Sequence, residues 1–430
     1  MSRINKKNTL VLLLLFLILI SVVGAVYWSE ANRVSFDINN KDELKGDITF
    51  VSNRTDKKDE LEELIKEFEN LHQKVSIELK LIGDAESILQ RKASVGELPD
   101  VTLVPSTITK NEYNKYFLTI DDLGFNDNNM NNYDMGVGSD SRLYCLNSSI
   151  TWQGVIYNKE IFKKANIENL PTSIDELFDV CEKVKALGVI PMAINYRQSW
   201  TMNLWVDIIP HLFDNSLSKE TVLGNETILN SKSGMYKSLN LIREIVKREY
   251  CESDLLSYEW QQFKNDMNDG KIAMTIWNSD FINQLEDMGM DESNIGMFPI
   301  PETEIVKIYG DYKFAVSKKS DYPEVAKAFL KYIFEESRYS KAVNNISSLK
   351  EDDDSKIRVE AMKNFGIPVE FYSDFIRNQS VYDAKLQEDF LNIKSKNGLD
   401  ASFVQKYIVE DNIESLVNEI EDKWKKSIEE

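Results

Sequence analysis

The stretch "GDITFVSNR", residues 46–54, reads as a buried strand that runs out into a polar loop at Asn53 and Arg54. Beyond it Leu61, Leu64, Ile65, Phe68 and Leu71 recur at the spacing of one helix face, with acids and lysines between them. "VSIELKLIG" (75–83) alternates as a strand, "SILQRKASV" (87–95) reads as a helix, and "LPDVTLVPS" (98–106) is an apolar strand opened by Pro99-Asp100. This strand–helix alternation predicts an α/β fold with a parallel sheet, because parallel strands need crossovers and helical crossovers bury their apolar stripes on the sheet. Ligands of such sheets gather beyond the carboxyl ends of the strands. That rule places Asn53, Arg54, Asp56, Pro105 and Ser106 near a crevice.

The pattern restarts at residue 150. "ITWQGVIYN" (150–158) is a predicted strand and "KEIFKKANI" (159–167) a short helix. Thr172 or Ser173 caps the helix "IDELFDVCEKVKAL", with Glu176 placed as in a capping box. "VIPMAI" (189–194) is a strand that leads into "NYRQSWTMNLW", residues 195–205. "GKIAMTIWNSD" (270–280) delivers Trp277, Asn278 and Asp280 into a loop, and "YGDYKFAVSKKS" (309–320) carries Asp311 and Tyr312 at a strand entry. A helix is expected over Pro323–Glu335, with Val325, Ala328, Phe329, Tyr332 and Ile333 on one face, and mostly helix from about 355.

A chain of 430 residues exceeds one hydrophobic core, so two or three domains are expected. The formal charge of −20 argues against a nucleic-acid partner, which would need concentrated Lys and Arg. Histidine occurs only at His72 and His211, and cysteine only at Cys145, Cys181 and Cys251, without CxxC or HExxH spacing. No metal and no cofactor are therefore expected, and Cys181 reads as a small core residue on its helix. Asp127, Asn129 and Asn131 resemble the start of a calcium loop, but Asn132 and Gly138 stand where it needs Gly and Glu. Glu351–Asp354 reads as a solvated charge run.

Arg3, Lys6 and Lys7 precede a nearly unbroken apolar run, Leu10–Trp28, close to the roughly 20 residues that span a bilayer. The expectation is an uncleaved anchor over residues 1–29, a polar spacer over 30–45, and the remainder outside the cytoplasm. A cleaved signal ending near Ala25 is the alternative. No cysteine follows the run, which excludes a lipobox.

In order, "SNRTD" (52–56), "GELPDVTLVPS" (96–106), "WQGVIYNKEIFKKANI" (152–167), "LPTSIDELFDVCEKVKALGVIPMAINYRQSW" (170–200), "DGKIAMTIWNSDF" (269–281), "NIGMFPIP" (294–301) and "GDYKFAVSKKSDYPEVAKAFLKYIFEE" (310–336) resemble the family 1 extracellular solute-binding proteins of bacterial ABC sugar importers. The likeness spans about residues 46–345 and is greatest to oligosaccharide binders of Gram-positive bacteria. Two departures stand out: the lipobox cysteine is absent, and "NNISSLKEDDD" (344–354) replaces a Gly/Pro-containing loop. The resemblance implies a two-lobed periplasmic-binding-protein-like clamp (type II), each lobe a sheet flanked by helices. Lobe one would be 46–149 with 306–345, and lobe two 150–305 with 346–430.

It further implies a carbohydrate ligand, ABC permease subunits as partners, a monomer, membrane attachment through the N-terminal helix, and no catalysis. A membrane-anchored sensor or surface receptor on the same clamp is the alternative. A glycoside hydrolase would need two positioned carboxylates, and no feature of the chain singles out a pair. Sugars offer apolar C–H faces rimmed by hydroxyls, which suit aromatic platforms beside amides and carboxylates. On that basis Asn195, Tyr196, Trp200 and Trp277 are candidate ligand residues beside Asn53, Arg54, Asp56 and Ser106. The family's contact segments add Trp152, Gln153, Asp311 and Tyr312. Trp205 is expected in a core, and Trp260 and Trp424 in helix packing.

Overall fold

The structure, a computed structural model, describes residues 44–224 and 227–429. The anchor and nearly all of the spacer read from the sequence lie outside the described residues. Among the described residues no helix is long and apolar enough to cross a membrane.

Twelve strands are described, numbered here in chain order. The first sheet contains β1 (Lys45–Ser52), β2 (Lys74–Leu81), β3 (Val101–Leu103), β4 (Cys145–Asn147) and, from much later in the chain, β11 (Lys313–Val316). Its order is β2-β1-β3-β11-β4. The parallel expectation holds for β2-β1-β3, whereas β11 runs antiparallel to both β3 and β4. The second sheet, β7 (Ile190–Ala193), β8 (Ile272–Asn278), β6 (Gln153–Asn158) and β9 (Ile295–Phe298), is also mixed. A third, small sheet joins β5 (Ile150–Thr151), β10 (Val306–Gly310) and β12 (Val369–Phe371).

Two predicted strands prove to be broken, and each break is where the chain changes sheet. "ITWQGVIYN" splits at Trp152 into β5 and β6, and the strand at 309–320 splits at Asp311-Tyr312 into β10 and β11. The two crossings lie side by side, Thr151 opposite Tyr309 and Ile150 opposite Gly310. The second crossing is also packed against the end of β4: a Cβ on Gly310 would stand 2.4 Å from the Asn147 carboxamide.

The apolar stripes decide the layers. Leu61, Leu64, Ile65 and Phe68 of helix Lys58–Leu71 are buried on the first sheet, while Leu71 is left exposed where the helix ends. Helix Pro323–Phe334 buries Val325, Ala328, Phe329 and Ile333 in the same core, which draws its buried residues from 48–146 and 314–343. A second core draws on 155–300 and 390–424 and contains Cys181, Trp205 and Trp424. Ser173, not Thr172, caps helix Ile174–Lys185, accepting from the Glu176 N–H, while the Glu176 carboxylate accepts from Thr172. Such a cap is worth about 1 kcal/mol.

The asparagine-rich loop is a structural clasp. Buried Asn132 turns through a left-handed conformation (φ 54°) and its side chain accepts from the Ser373 N–H, while Asp127 pairs with Arg377. The acidic run opens a helix, Asp352 accepting from the Ser355 N–H. From Asp353 on the chain is mostly helical, in five helices that end with Glu414–Glu429.

Candidate ligand-binding cleft

An antiparallel strand enters a sheet at the edge where parallel strands leave it. Asp311 and Tyr312, ahead of β11, therefore reach the same edge as Asn53 and Arg54, beyond β1. In the second sheet Trp277 and Asn278 end β8, and the parallel strand β7 runs out toward Trp200. Between these edges lies a cleft of about 780 Å³, lined from both sides. That volume suits a small ligand.

One wall is aromatic. Trp200, on the short helix Ser199–Met202, meets Trp260 and Trp277 edge-on, with ring centroids 5.0 and 5.4 Å apart. Trp260 and Trp277 are 5.4 Å apart, so the three indoles form one cluster. Trp200 remains 50 % exposed. A contiguous aromatic patch that stays partly open at a concave surface is the exception that marks contact sites.

The facing wall is polar. Arg54 donates through Nε and Nη2 to the Asp56 carboxylate at 3.0 and 2.8 Å, and through Nη1 to the Val343 carbonyl and Asn345 Oδ1. Its fork is thus committed to the protein, and it holds Asp56, half of whose side chain is exposed, at the rim. Burial works against both charges, but the mutual hydrogen bond and attraction prevail: the Arg54 pKa is raised and that of Asp56 lowered. Deeper lie Asp280 and Asp311. Burial first pushes both carboxyls up, their mutual repulsion adds to it at Asp311, and Arg54 pulls them back. Two carboxyls that are hard to ionise together retain a proton between them, so the pair can donate to a ligand hydroxyl as well as accept from one.

Of the residues read from the sequence, Asn53, Arg54, Asp56, Trp200, Trp277, Asp311 and Tyr312 come together on this cleft. Five do not. Ser106 lies three residues beyond the end of β3, where its N–H and Oγ bind the Glu86 carboxylate. Trp152 is 3 % exposed and fills the apolar cluster at the crossing. Gln153 is buried and donates to Asn278 across the sheet. Asn195 is buried in a left-handed turn (φ 56°) whose carbonyl accepts from Thr201, and Tyr196 is fastened to Gln405 by hydrogen bonds in both directions. The Glu252 carboxylate accepts from the Ile194 and Tyr196 N–H groups and holds that turn.

Trp260 corrects the sequence reading in the other direction: it packs on its helix and also lines the cleft. Asn278 and Asp280 stood at a strand end and were legible as loop polarity. Tyr339 and Asn345 follow the helix at 323–334 and reach the cleft only through the tertiary fold. Among the described residues no group of three or more His, Cys, Asp or Glu side chains is placed to hold a metal ion.

The chain is 23% identical over 340 residues to a multiple sugar-binding protein of Streptococcus mutans, covering 73% of this chain and 77% of that one. Its fold superposes on a binding protein of an ABC transporter from Bifidobacterium animalis subsp. lactis in complex with mannobiose. The TM-score is 0.75 at 21% identity, over 90% of this chain and 95% of the other. A sugar transporter from Bacillus licheniformis in complex with stachyose gives a TM-score of 0.65 at 16% identity, over 89% and 100% of the two chains. These likenesses establish the two-lobed α/β fold. The sequence model of the bacterial extracellular solute-binding proteins matches residues 52–337, two thirds of the chain, and the protein belongs to that family.

Proposed function

We propose that the chain captures a carbohydrate, most simply an oligosaccharide, between two lobes and delivers it to the permease subunits of an ABC importer. The observation that carries this reading is one cleft lined by the indole cluster of Trp200, Trp260 and Trp277, with Trp200 half exposed, and by the carboxyl groups of Asp56, Asp280 and Asp311. Indole faces match sugar C–H faces, and carboxylates accept from hydroxyls. Relatives named for sugar binding and neighbours holding mannobiose or stachyose support it.

We assign lobe one to 46–149 with 306–345 and lobe two to 150–305 with 346–430, which the separation of the two buried cores supports. The protein works as a monomer, by binding alone, at the extracytoplasmic face of the membrane. The apolar run Leu10–Trp28 behind Arg3, Lys6 and Lys7 serves as its anchor.

Calorimetric titration with mannobiose, mannotriose, raffinose and stachyose tests the ligand class. At least one is expected to bind and to stabilise by about 2.7 kcal/mol at 100 times its dissociation constant. Absence of binding by all four would reject the reading. The protein should fractionate with membranes and take up no palmitate; a mature form starting near Val26 in the medium would overturn the anchor.

A further inference from the structure

Beside the cleft lies a second cavity, of about 400 Å³, which shares Asp207 and Ile208 with it. Its walls come from β10 and β12 of the small sheet and from the helices Tyr372–Asn378 and Val381–Lys396. Lys307 on β10 is 3 % exposed, yet among the described residues its ammonium has neither a hydrogen-bond acceptor nor an ion-pair partner. Its Nζ stands 4.0 Å from the centroid of the Phe375 ring. Glu370, its register partner on β12, has a buried Oε2 that receives no donor. Burial lowers the Lys307 pKa to about 8 and raises that of Glu370, each opposed by the other's charge. The remaining charges on the cavity are matched: Asp207 pairs with Lys394, and Lys219 with Asp383. Tyr309 and Tyr372 lie 5.1 Å apart, and Phe375 stacks on Tyr372 at 5.9 Å.

The chemistry left unsatisfied is specific. An anion would suit Lys307 and be repelled by Glu370, and a cation the reverse. A hydroxyl accepts from an ammonium and donates to a carboxylate, so a neutral polyol satisfies both. The aromatic floor suits a ligand with an apolar face, and the volume is many times the ~30 Å³ of one water. We propose that this cavity is a second saccharide subsite, in which Lys307 and Glu370 bracket the hydroxyls of one sugar unit over Tyr309, Tyr372 and Phe375. It takes the distal end of an oligosaccharide whose other end stands on the indoles, the ligand passing at Asp207 and Ile208. The subsite rests on the carbohydrate reading of the cleft.

The test is calorimetry on the full chain in mild detergent, with mannobiose against mannotriose and raffinose against stachyose. Wild type is compared with Lys307→Met, Glu370→Gln and Trp200→Ala. Lys307→Met and Glu370→Gln should weaken the longer sugar of a series roughly tenfold or more, as for a lost hydrogen bond to a charged group, and the shorter one less than about twofold. Trp200→Ala should weaken both. If Lys307→Met fails to fold, the isosteric Glu370→Gln decides. Folded variants that bind every sugar as wild type does would overturn the subsite and leave the cleft intact. A wild-type protein that binds none of the four sugars would remove the carbohydrate reading and the subsite with it.

Discussion

Trp200→Ala separates a binding wall from a packed core. Trp200 is 50 % exposed, whereas Trp424 is 1 % exposed and packs on Phe390 with centroids 5.4 Å apart. An enclosed Trp buries up to about 250 Å², so half-exposed Trp200 buries about 125 Å² on folding, worth no more than ~3 kcal/mol at ~25 cal/mol per Å². Residual compactness of the unfolded chain trims this to about 2 kcal/mol. Truncating the fully enclosed Trp424 should cost ~3–5 kcal/mol, because a cavity adds to the lost transfer energy. For ligand affinity the order reverses. Removing an aromatic anchor typically costs about 1–3 kcal/mol of binding, roughly 5- to 150-fold in Kd, and Trp424 does not line the cleft. Urea denaturation and calorimetry on the same preparations read both quantities. If Trp200→Ala lowered stability as much as Trp424→Ala and left the affinity unchanged, the indole cluster would be a core, and the site would be misassigned.

Asp311 supplies a pH test. Burial, and then repulsion from Asp280, raise its carboxyl to about 7, above the ~3.9 of an unfolded chain. The stability that follows is fully present below about pH 4 and is lost as pH rises through about 7. The urea midpoint should fall between about pH 5 and about pH 8 in wild type and change less in Asp311→Asn. Sugar hydroxyls donate to the ionised form, so affinity should fall on acidification, and binding should release more protons in wild type than in Asp311→Asn; matching pH profiles in the two proteins would refute this. Asp287 accepts from Lys57 at 2.8 Å and from Asn344, joining the loop after β1 to helix Phe281–Asp287. Asp287→Ala should cost about 1–3 kcal/mol in that contact and enlarge the unliganded radius of gyration; identical scattering would show the contact does not hold the lobes. Gly310→Ala should lower the melting temperature, since its Cβ would enter the Asn147 side chain, and wild-type stability would show that the crossing yields.

Periodicity alone showed the alternation of strands and helices, because the burial demand of each face is written at fixed spacing. The first three strands, the stripes of helices Lys58–Leu71 and Pro323–Phe334, and the strand ends at Asn53, Trp277 and Asp311 were all legible in this way. What the sequence could not show is which side of a strand end faces the cleft. Asn195 and Tyr196 sit one turn from Trp200, yet a left-handed residue and the Glu252 carboxylate aim them inward while Trp200 faces out. Trp152 looks like Trp277 in sequence, but it occupies the break where the chain changes sheet and is enclosed by the crossing. Trp260 looked like helix packing and became wall because two other indoles were folded against it. Tyr339 and Asn345, far along the chain, arrive only when helix Arg338–Val343 docks. Local sequence fixes which residues prefer burial and at what period. Which of them meet across a cleft depends on the antiparallel insertion of β11 and the two broken crossings, and those are properties of contacts between residues more than a hundred positions apart.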